Sequence, residues 1–341
     1  MDFTQLPELL LPWYACNRRD LPWRRDREPY HVWLSEIMLQ QTRVEAVRGY
    51  YQRFLEALPD VEALAACEDD RLHKLWEGLG YYTRVRNLKK AAQVIVGRYG
   101  GVFPRTCAEI RALPGIGDYT AGAISSICFE LPEPAVDGNV LRVMTRLAAC
   151  REPVTKPQTK RMVTEELRAV YPRGRCGDFT QALMELGAIV CVPNGEPNCA
   201  ACPAACICRS RENALYREIP VKEKKKPRRV EEKTVFLLRC GDRLAVRKRP
   251  KTGLLAGLWE FPNVPGRLTA QEALEQAAGW GCRPRELVQS VERVHIFTHI
   301  QWELLGYTID CGAEAEAFLW ANAEKLDQEI SLPTAFRQFR E

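Results

Sequence analysis

The chain has 341 residues, of which 46% are hydrophobic and 27% are charged, and its formal net charge is +5. This length suits two domains better than one core, and the absence of an apolar run near the roughly 20 residues of a membrane span excludes an integral membrane protein. Residues 209–230 carry a local balance of +6 and leave the rest of the chain at −1, so net charge alone does not indicate a nucleic-acid surface. The N-terminus does not read as a secretory signal, and we expect an intracellular, cytoplasmic protein that binds no membrane.

Helical periodicity dominates the chain before its basic segment. In VWLSEIMLQQTRVEAVRGYYQRFL, residues 32–55, apolar side chains recur three and four positions apart over about six turns. This pattern predicts that residues 1–215 form an all-α domain.

A turn with two glycines separates two predicted helices in TCAEIRALPGIGDYTAG. One helix is capped by Thr106 and ends at Leu113, and the next begins at about Asp118. This is a helix-hairpin-helix, in which Gly115 and Gly117 would let the backbone N–H groups approach a DNA phosphate. A tight turn between two packed helices explains these glycines equally well.

Four cysteines follow the spacing C-x7-C-x2-C-x5-C: Cys191, Cys199, Cys202 and Cys208. Four thiolates this close in sequence indicate a metal site. Both structural zinc and an iron–sulfur cluster accept four cysteines, and the spacing does not choose between them. Cys206 is the alternative last ligand, and we expect the other scattered cysteines to be reduced thiols.

The residue pattern of the chain changes from helical to β-prone after a charged stretch. Residues 216–230 combine Lys and Arg with prolines and no apolar periodicity, which predicts a basic interdomain linker. Beyond it, KTVFLLRCGDRLAVRKRP predicts a β-hairpin, residues 269–278 a helix, and VERVHIFTHIQWELLGYTI further strands. We therefore predict an α+β domain over residues 231–341.

The chain resembles the MutY-type adenine DNA glycosylases of the endonuclease III superfamily in LPWRRDREPYHVWLSEIMLQQTRVEAV, GLGYYTRVRNL, LPGIGDYTAGAI, VDGNVLRV and QALMELGAIVC. In GLLAGLWEFP and HIFTHIQWEL it resembles their Nudix-like C-terminal domain. The resemblance implies one 4Fe-4S cluster on the four cysteines. It also implies a monomeric, DNA-associated bacterial enzyme that acts on double-stranded DNA with adenine opposite 8-oxoguanine or guanine.

Excision of a flipped adenine requires an acid for the base and an anion for the sugar, hence two carboxylates in different surroundings. Glu36 lies on an apolar helix, where burial should raise its pKa, and we assign it as general acid at adenine N7 and then as base toward water. Asp137 begins a predicted helix whose dipole favours its ionised form, and it would stabilise an oxocarbenium-like sugar. The alternatives are a surface Glu on an amphipathic helix and an Asp that only caps its helix.

The resemblance implies further roles for single residues. Asn139 would orient toward the same sugar and water, Glu185 would contact adenine, and Arg24 would lie near the flipped nucleotide. Gln41 and Tyr81 would fill the space around the extruded or opposing base, with Leu39 nearby. Recognition of 8-oxoguanine falls to a loop in which threonine replaces the usual serine: Phe297, Thr298 and His299.

Tyr119 separates this hypothesis from its nearest rival. Endonuclease III-like enzymes, which are bifunctional glycosylase/lyases for oxidised pyrimidines, have a lysine at this point that forms a Schiff base with the sugar. A tyrosine there predicts a monofunctional enzyme that leaves an abasic site. The other alternative, a non-catalytic iron–sulfur DNA-binding protein, is disfavoured by the joint presence of Glu36 and Asp137. The C-terminal domain lacks the R-E-x-x-E-E helix of Nudix enzymes, so we expect no pyrophosphatase activity.

Overall fold

The computed structural model describes residues 2–211, 214–223 and 227–340. These residues form two compact units. The first comprises the described residues of Met1–Ala66 and Arg86–Lys224, and the second those of Cys67–Val85 and Lys225–Glu341. None of the helices in the described ranges is long and apolar enough to cross a bilayer. The predicted linker includes residues 224–226, which lie outside the described residues, and the predicted ranges of the two domains stay a prediction.

The first unit is helical, as the periodicity predicts. Short 3₁₀ turns lie at Pro22–Arg24, Cys199–Ala201, Ala205–Ile207 and Leu215–Arg217. Counted along the chain, the helices before the linker are α1 (Leu6–Asn17), α2 (Pro29–Leu39), α3 (Val44–Ala57), α4 (Val61–Ala66), α5 (Asp69–Leu75), α6 (Thr83–Tyr99), α7 (Cys107–Arg111), α8 (Asp118–Phe129), α9 (Gly138–Leu147), α10 (Pro157–Val170) and α11 (Cys176–Ile189). Of these, α5 and the start of α6 belong to the second unit.

The long periodic stretch near the N-terminus is broken between α2 and α3. Pro29 occupies the first turn of α2, where its missing N–H costs nothing. The break follows Leu39, and Gln41 adopts the left-handed conformation with φ of 59°. This break leaves the end of α2 and the side chain of Gln41 at the edge of a cavity described below.

Two groups of helices build the core of the first unit. The larger core joins α1, α9, α10 and α11 through buried side chains such as Leu10, Val143 and Phe179. A smaller cluster joins α2 to α8 through Val32 and Ala123. Because Glu36 is one helical turn after Val32, it lies on the face of α2 that packs toward α8.

The helix-hairpin-helix is confirmed, with α7 and α8 as its helices. The Oγ1 of Thr106 accepts the N–H of Glu109 at 3.3 Å and caps α7, which ends at Arg111, two residues before the predicted Leu113. Gly115 has φ of +77°, and a Cβ there would lie 2.5 Å from Cβ of Asn87. Glycine is therefore required at 115 by both conformation and space.

The second unit contains a mixed sheet, so the predicted α+β class is confirmed. Strand β1 pairs in parallel with β6, and the other pairings are antiparallel. The sheet order is β3-β2-β1-β6-β5, with β4 on β1 and β7 on β2. The strands are β1 (Arg229–Cys240), β2 (Arg243–Lys248), β3 (Trp259–Glu260), β4 (Asn263–Pro265), β5 (Pro284–Ile296), β6 (Ile300–Cys311) and β7 (Leu319–Ala321).

The predicted elements of this unit are found where the sequence places them. The hairpin of β1 and β2 turns at residues 241–242, and strand β1 begins two residues inside the predicted linker. Helix α12 (Ala270–Gly279) carries a capping box between Thr269 and Glu272. The chain ends with α13 (Ala323–Gln328) and α14 (Thr334–Arg337). Residues 297–299 form the turn between β5 and β6, which exposes this loop at one end of the sheet.

Candidate active site

A cavity of about 620 Å³ lies in the helical unit, within the size range of small-molecule sites. It brings together side chains from α2, α8, α9 and α11 that are far apart in sequence. Among its lining residues are eight that the sequence singles out: Arg24, Glu36, Leu39, Gln41, Tyr119, Asp137, Asn139 and Glu185.

Glu36 is buried in the wall of this cavity, with 6% of its surface exposed. The hydroxyl of Tyr119, on α8, donates a hydrogen bond to Oε2 of Glu36. Burial raises the pKa of Tyr119 well above its ordinary value, and the nearby Glu36 raises it further. The phenol therefore stays protonated and acts as a donor to the carboxyl.

The surroundings of Glu36 favour its protonated form near neutral pH. The pKa of Glu36 is raised to about 7, mainly by burial and also by the charge of Asp137, while the hydrogen bond from Tyr119 and the charge of Arg24 act to lower it. A carboxyl with such a pKa can hold a proton for a substrate at neutral pH and take one back later.

The raised pKa of Glu36 predicts a pH dependence of stability. The native state keeps this proton to a higher pH than the unfolded chain, so its stabilising effect is full below pH 4.5 and is lost as pH rises to about 7. At about 1.4 kcal/mol per pH unit, the free energy of unfolding should fall by about 3 kcal/mol over this range. Urea unfolding at pH 5 and pH 8 measures it, and Glu36→Gln should lack this component. Equal pH slopes for the two proteins would contradict the assigned pKa.

Asp137 is the N-cap of α9 and accepts hydrogen bonds with both carboxylate oxygens. Oδ1 accepts the N–H of Val140 at 2.7 Å, and Oδ2 accepts from Nδ2 of Asn139 at 2.9 Å. Burial raises the pKa of Asp137 above its ordinary value, while these two bonds and the charge of Arg142 act to lower it. The carboxylate is thus fixed in direction, and the helix terminus opposes the cost of burying its charge.

Asn139 is held from its other side. Its Oδ1 accepts from Nη2 of Arg142 at 2.8 Å, and the same nitrogen donates to the carbonyl of Gly187 at 2.6 Å. Helices α9 and α11 approach closely here, since a Cβ on Gly187 would lie 2.7 Å from Cβ of Asn139. A larger residue at 187 would displace the side chain that orients Asp137.

Glu185 is fully buried on α11 and is paired with two arginines. Nε of Arg19 donates to its Oε1 at 2.8 Å, and Nη2 of Arg24 donates to its Oε2 at 2.8 Å. Burial acts to raise the pKa of Glu185, but the hydrogen bonds from Arg19 and Arg24 outweigh it and lower that pKa to about 2. The group stays ionised at neutral pH, in contrast to Glu36.

The remaining predicted base contacts are in the second unit. Tyr81 has φ of 47° and an exposed fraction of 49%, and its hydroxyl lies 3.2 Å from Oγ1 of Thr298. The ring of Phe297 packs edge-on against Trp302 and anchors the loop, while the side chains of Thr298 and His299 are exposed. The structure thus brings the predicted wedge and the predicted lesion-reading loop together.

The four predicted metal-ligating cysteines, Cys191, Cys199, Cys202 and Cys208, line one small pocket in the helical unit. Cys206 is exposed and does not line this pocket. Nη1 of Arg146 lies 3.4 Å from Sγ of Cys191. Within the described ranges, no three His, Cys, Asp or Glu side chains are placed to hold a single metal ion.

Two sequence families match the chain in the order of its two parts. Residues 34–173 match the HhH-GPD superfamily of base excision DNA repair proteins, and residues 234–341 match the NUDIX domain. Across 366 aligned residues, the adenine DNA glycosylase of Mus musculus is 34% identical, covering 90% of this chain and 71% of the mouse protein. The chain belongs to the adenine DNA glycosylase family. The enzyme of Buchnera aphidicola subsp. Acyrthosiphon pisum is 30% identical over 98% of this chain and 96% of its own.

The helical part of the adenine DNA glycosylase family has solved structural relatives. A thermostable thymine-DNA glycosylase superposes with a TM-score of 0.54 and 29% identity, covering 61% of this chain and 95% of its own. The family is therefore one of enzymes that act on N-glycosyl bonds of DNA, and the cavity lies in the part of the chain that carries this fold.

In this member of the adenine DNA glycosylase family, two residues that line the cavity could not be predicted from the sequence. Arg19 and Lys160 both line the cavity. Arg19 is separated from its partner Glu185 by 166 positions, so no local pattern could pair them. Arg142 is different, since its spacing of three from Asn139 on a helix already places the two on one face.

Proposed function

We propose that this protein excises adenine opposite 8-oxoguanine or guanine in double-stranded DNA, by hydrolysis of the N-glycosidic bond. It would act as a monomer in the bacterial cytoplasm and leave an abasic site. Family membership supports the reaction class. The observation that carries the proposal is that Glu36, with its raised pKa, lines the same cavity as Asp137.

The first step is extrusion of the adenine. An enzyme cannot reach the glycosidic bond inside a stacked duplex, so the nucleotide must leave it at a cost of a few kcal/mol. Leu39 and Gln41 lie at the cavity edge where α2 ends and would contact the nucleotide as it enters. Gly115 and Gly117 would hold a backbone phosphate, since α8 begins directly after them.

Glu36 would then protonate the base. Tyr119 donates to Oε2 of Glu36, so the proton of the carboxylic acid is left on the other oxygen and is available to N7 of adenine. Protonation makes adenine a better leaving group, and the electrons of the bond between C1′ and N9 move onto the departing base. General acid catalysis of this kind contributes about 10²–10⁴-fold in rate.

Asp137 would stabilise the cation that remains. Loss of the base leaves positive charge over C1′ and O4′ of the sugar, and a fixed carboxylate beside it lowers the energy of this state. Water then attacks C1′, and Glu36, now ionised, accepts the proton that the water loses. Asn139 holds the Asp137 carboxylate in its orientation through the 2.9 Å hydrogen bond.

Glu185 and its two arginines would bind the rest of the base. Its negative charge is balanced by Arg19 and Arg24, which allows it to stay ionised inside the wall of the cavity. Its two oxygens accept four hydrogen bonds, three from Arg19 and one from Arg24, so the exocyclic amine of adenine would replace one of these donors. On the opposite strand, Tyr81 would insert beside the 8-oxoguanine. The loop of Phe297, Thr298 and His299 would recognise this base, with Thr298 in contact with it.

The cysteine pocket would hold a 4Fe-4S cluster with Cys191, Cys199, Cys202 and Cys208 as ligands. Four cysteines around one pocket supply the four thiolates that an iron–sulfur cluster requires, and the resemblance to the endonuclease III superfamily supports a cluster over zinc. When bound, the cluster would cross-link residues 191–208 and keep this loop in one conformation.

The identity of the metal predicts the colour of the protein. A purified sample with a cluster should be brown and absorb near 400 nm because of charge transfer between sulfur and iron. The absorption spectrum measures this, with elemental analysis for iron and zinc on the same sample. A colourless protein that holds zinc would contradict the cluster.

The absence of a lysine at 119 predicts little covalent chemistry on the sugar. Among the described residues that line the cavity, Lys160 is the one lysine, and it is on α10, whereas the lysine of a lyase would stand at position 119 on α8. Borohydride trapping on substrate DNA should therefore be inefficient and should cease in Lys160→Arg, which keeps the charge. Efficient trapping of the unaltered protein would refute the monofunctional assignment.

The proposed activity is tested with three duplexes that differ in the base opposite adenine. Incubation with duplexes carrying 8-oxoguanine or guanine should produce alkali-labile sites at the adenine, and a thymine-containing duplex should not. The absence of such sites in all three would reject the proposed function.

A further inference from the structure

The segment Cys67–Val85 is joined to the C-terminal part of the second unit by partly buried polar contacts. Nζ of Lys74 donates to the carbonyl of Leu326 in α13 at 3.4 Å and to that of Ile330, just after this helix, at 3.2 Å. The same ammonium forms an ion pair with Oε2 of Glu77 at 2.6 Å. One ammonium group on α5 therefore binds two backbone carbonyls that are about 250 positions away in the sequence.

Glu77 completes this contact from the other side. Its Oε1 accepts the N–H of Leu332 at 2.9 Å, so its two oxygens bind both Lys74 on α5 and the segment between α13 and α14. The side chains of Lys74 and Glu77 are 22% and 14% exposed, which limits screening by solvent. Nearby, Oγ of Ser331 donates to the carbonyl of His73 at 3.2 Å. We call Lys74 and Glu77, with the backbone groups that they bind, the clasp.

The chain leads directly from the clasp to Tyr81. Nε1 of Trp76 donates to the carbonyl of Gly80 at 3.1 Å, and Nη2 of Arg84 donates to the same carbonyl at 3.1 Å. These bonds fix the turn in which Tyr81 takes its left-handed conformation. Tyr81 is thus connected to Glu77 by a short, hydrogen-bonded turn, and its hydroxyl meets Thr298 at 3.2 Å.

We propose that Lys74 and Glu77 are positioning residues that hold Tyr81 beside Thr298 before DNA binds. The wedge and the lesion-reading loop would then meet the base opposite adenine as one preassembled element. Preassembly reduces the conformational entropy lost on binding, and it matters most for a lesion that Thr298 must contact. This inference rests on the proposed function, because it assigns a role in recognition of 8-oxoguanine.

Single-turnover kinetics separate this role from a general loss of stability. Glu77→Ala removes both oxygens, and Lys74→Met removes the ammonium while keeping the length of the side chain. Each should raise the enzyme concentration needed for half-maximal rate on the 8-oxoguanine duplex roughly tenfold. The maximal rate on the guanine duplex should change less than about twofold. Glu77→Gln keeps an acceptor for the N–H of Leu332. It should therefore recover part of the preference for the 8-oxoguanine duplex over the guanine duplex.

The matched control is Glu316→Ala, which removes an exposed glutamate of the same unit and should behave like the unaltered protein. Hydrogen–deuterium exchange of free protein gives an independent readout. In Glu77→Ala, peptides covering 76–84 and 295–300 should exchange faster together.

Three outcomes overturn the inference. They are an unchanged preference between the two mispairs in both clasp variants, equal loss of maximal rate on both duplexes, and unchanged exchange at 295–300. If the unaltered protein releases no adenine from any duplex, the proposed function fails, and the exchange measurement alone still decides whether the clasp holds the loop.

Discussion

Replacing Glu36 with Gln should lower the single-turnover rate of adenine release by about 10²–10⁴-fold. The amide has nearly the same shape and can still accept the hydrogen bond from Tyr119, but it has no acidic proton for adenine N7. The base must then leave without protonation. Affinity for the mispaired duplex should stay near that of the unaltered protein, because the substitution removes a proton donor and no contact with the phosphate backbone.

The control for this substitution is Glu45→Gln on α3, where the side chain is 81% exposed and pairs with Arg48 across the helix surface. It makes the same chemical change outside the cavity and should leave the rate unaltered. Quench experiments with enzyme in excess over duplex measure both rates. Adenine release at the normal rate by the Glu36 variant would remove the acid assignment.

Replacing Asp137 with Asn should lower the rate of adenine release by about 10²–10³-fold. Asparagine is as good an N-cap as aspartate, and its oxygen can still accept the N–H of Val140. Helix α9 should therefore keep its stability while the negative charge beside the sugar is lost. The same single-turnover assay measures the rate, and thermal unfolding checks that the fold is kept.

Asp60 provides a matched control, since its Oδ1 accepts the N–H of Ala63 at 2.7 Å at the start of α4. Asp60→Asn makes the same change at an exposed helix start outside the cavity and should leave the rate as it was. A rate for the Asp137 variant within about twofold of normal would mean that the residue only caps its helix.

Local chemistry accounts for the elements that the sequence predicts correctly. The caps at Thr106, Asp137 and Thr269 need only a side-chain oxygen and a backbone N–H three positions away, so their signals are local. The β1–β2 hairpin likewise follows from two β-prone runs around a glycine turn. The pocket with the four cysteines follows from their spacing.

The features that the sequence does not predict depend on long-range contacts. The break between α2 and α3 falls inside an unbroken apolar period, and Gln41 is not a residue type that favours φ above zero. Segment Cys67–Val85 has helical periodicity like its neighbours, but Lys74 and Glu77 bind backbone groups about 250 positions away. The convergence of Glu36, Tyr119 and Asp137 on one cavity is likewise a property of packing, which the resemblance implied and periodicity did not.

A crystal structure of the protein on a duplex with 2′-fluoro-2′-deoxyadenosine opposite 8-oxoguanine would show where the resistant adenine is held. We expect the adenine in the cavity, with a carboxyl oxygen of Glu36 about 3 Å from N7 and the carboxylate of Asp137 beside C1′. An adenine bound outside this cavity, or one whose N7 faces away from Glu36, would contradict excision by these two carboxyl groups.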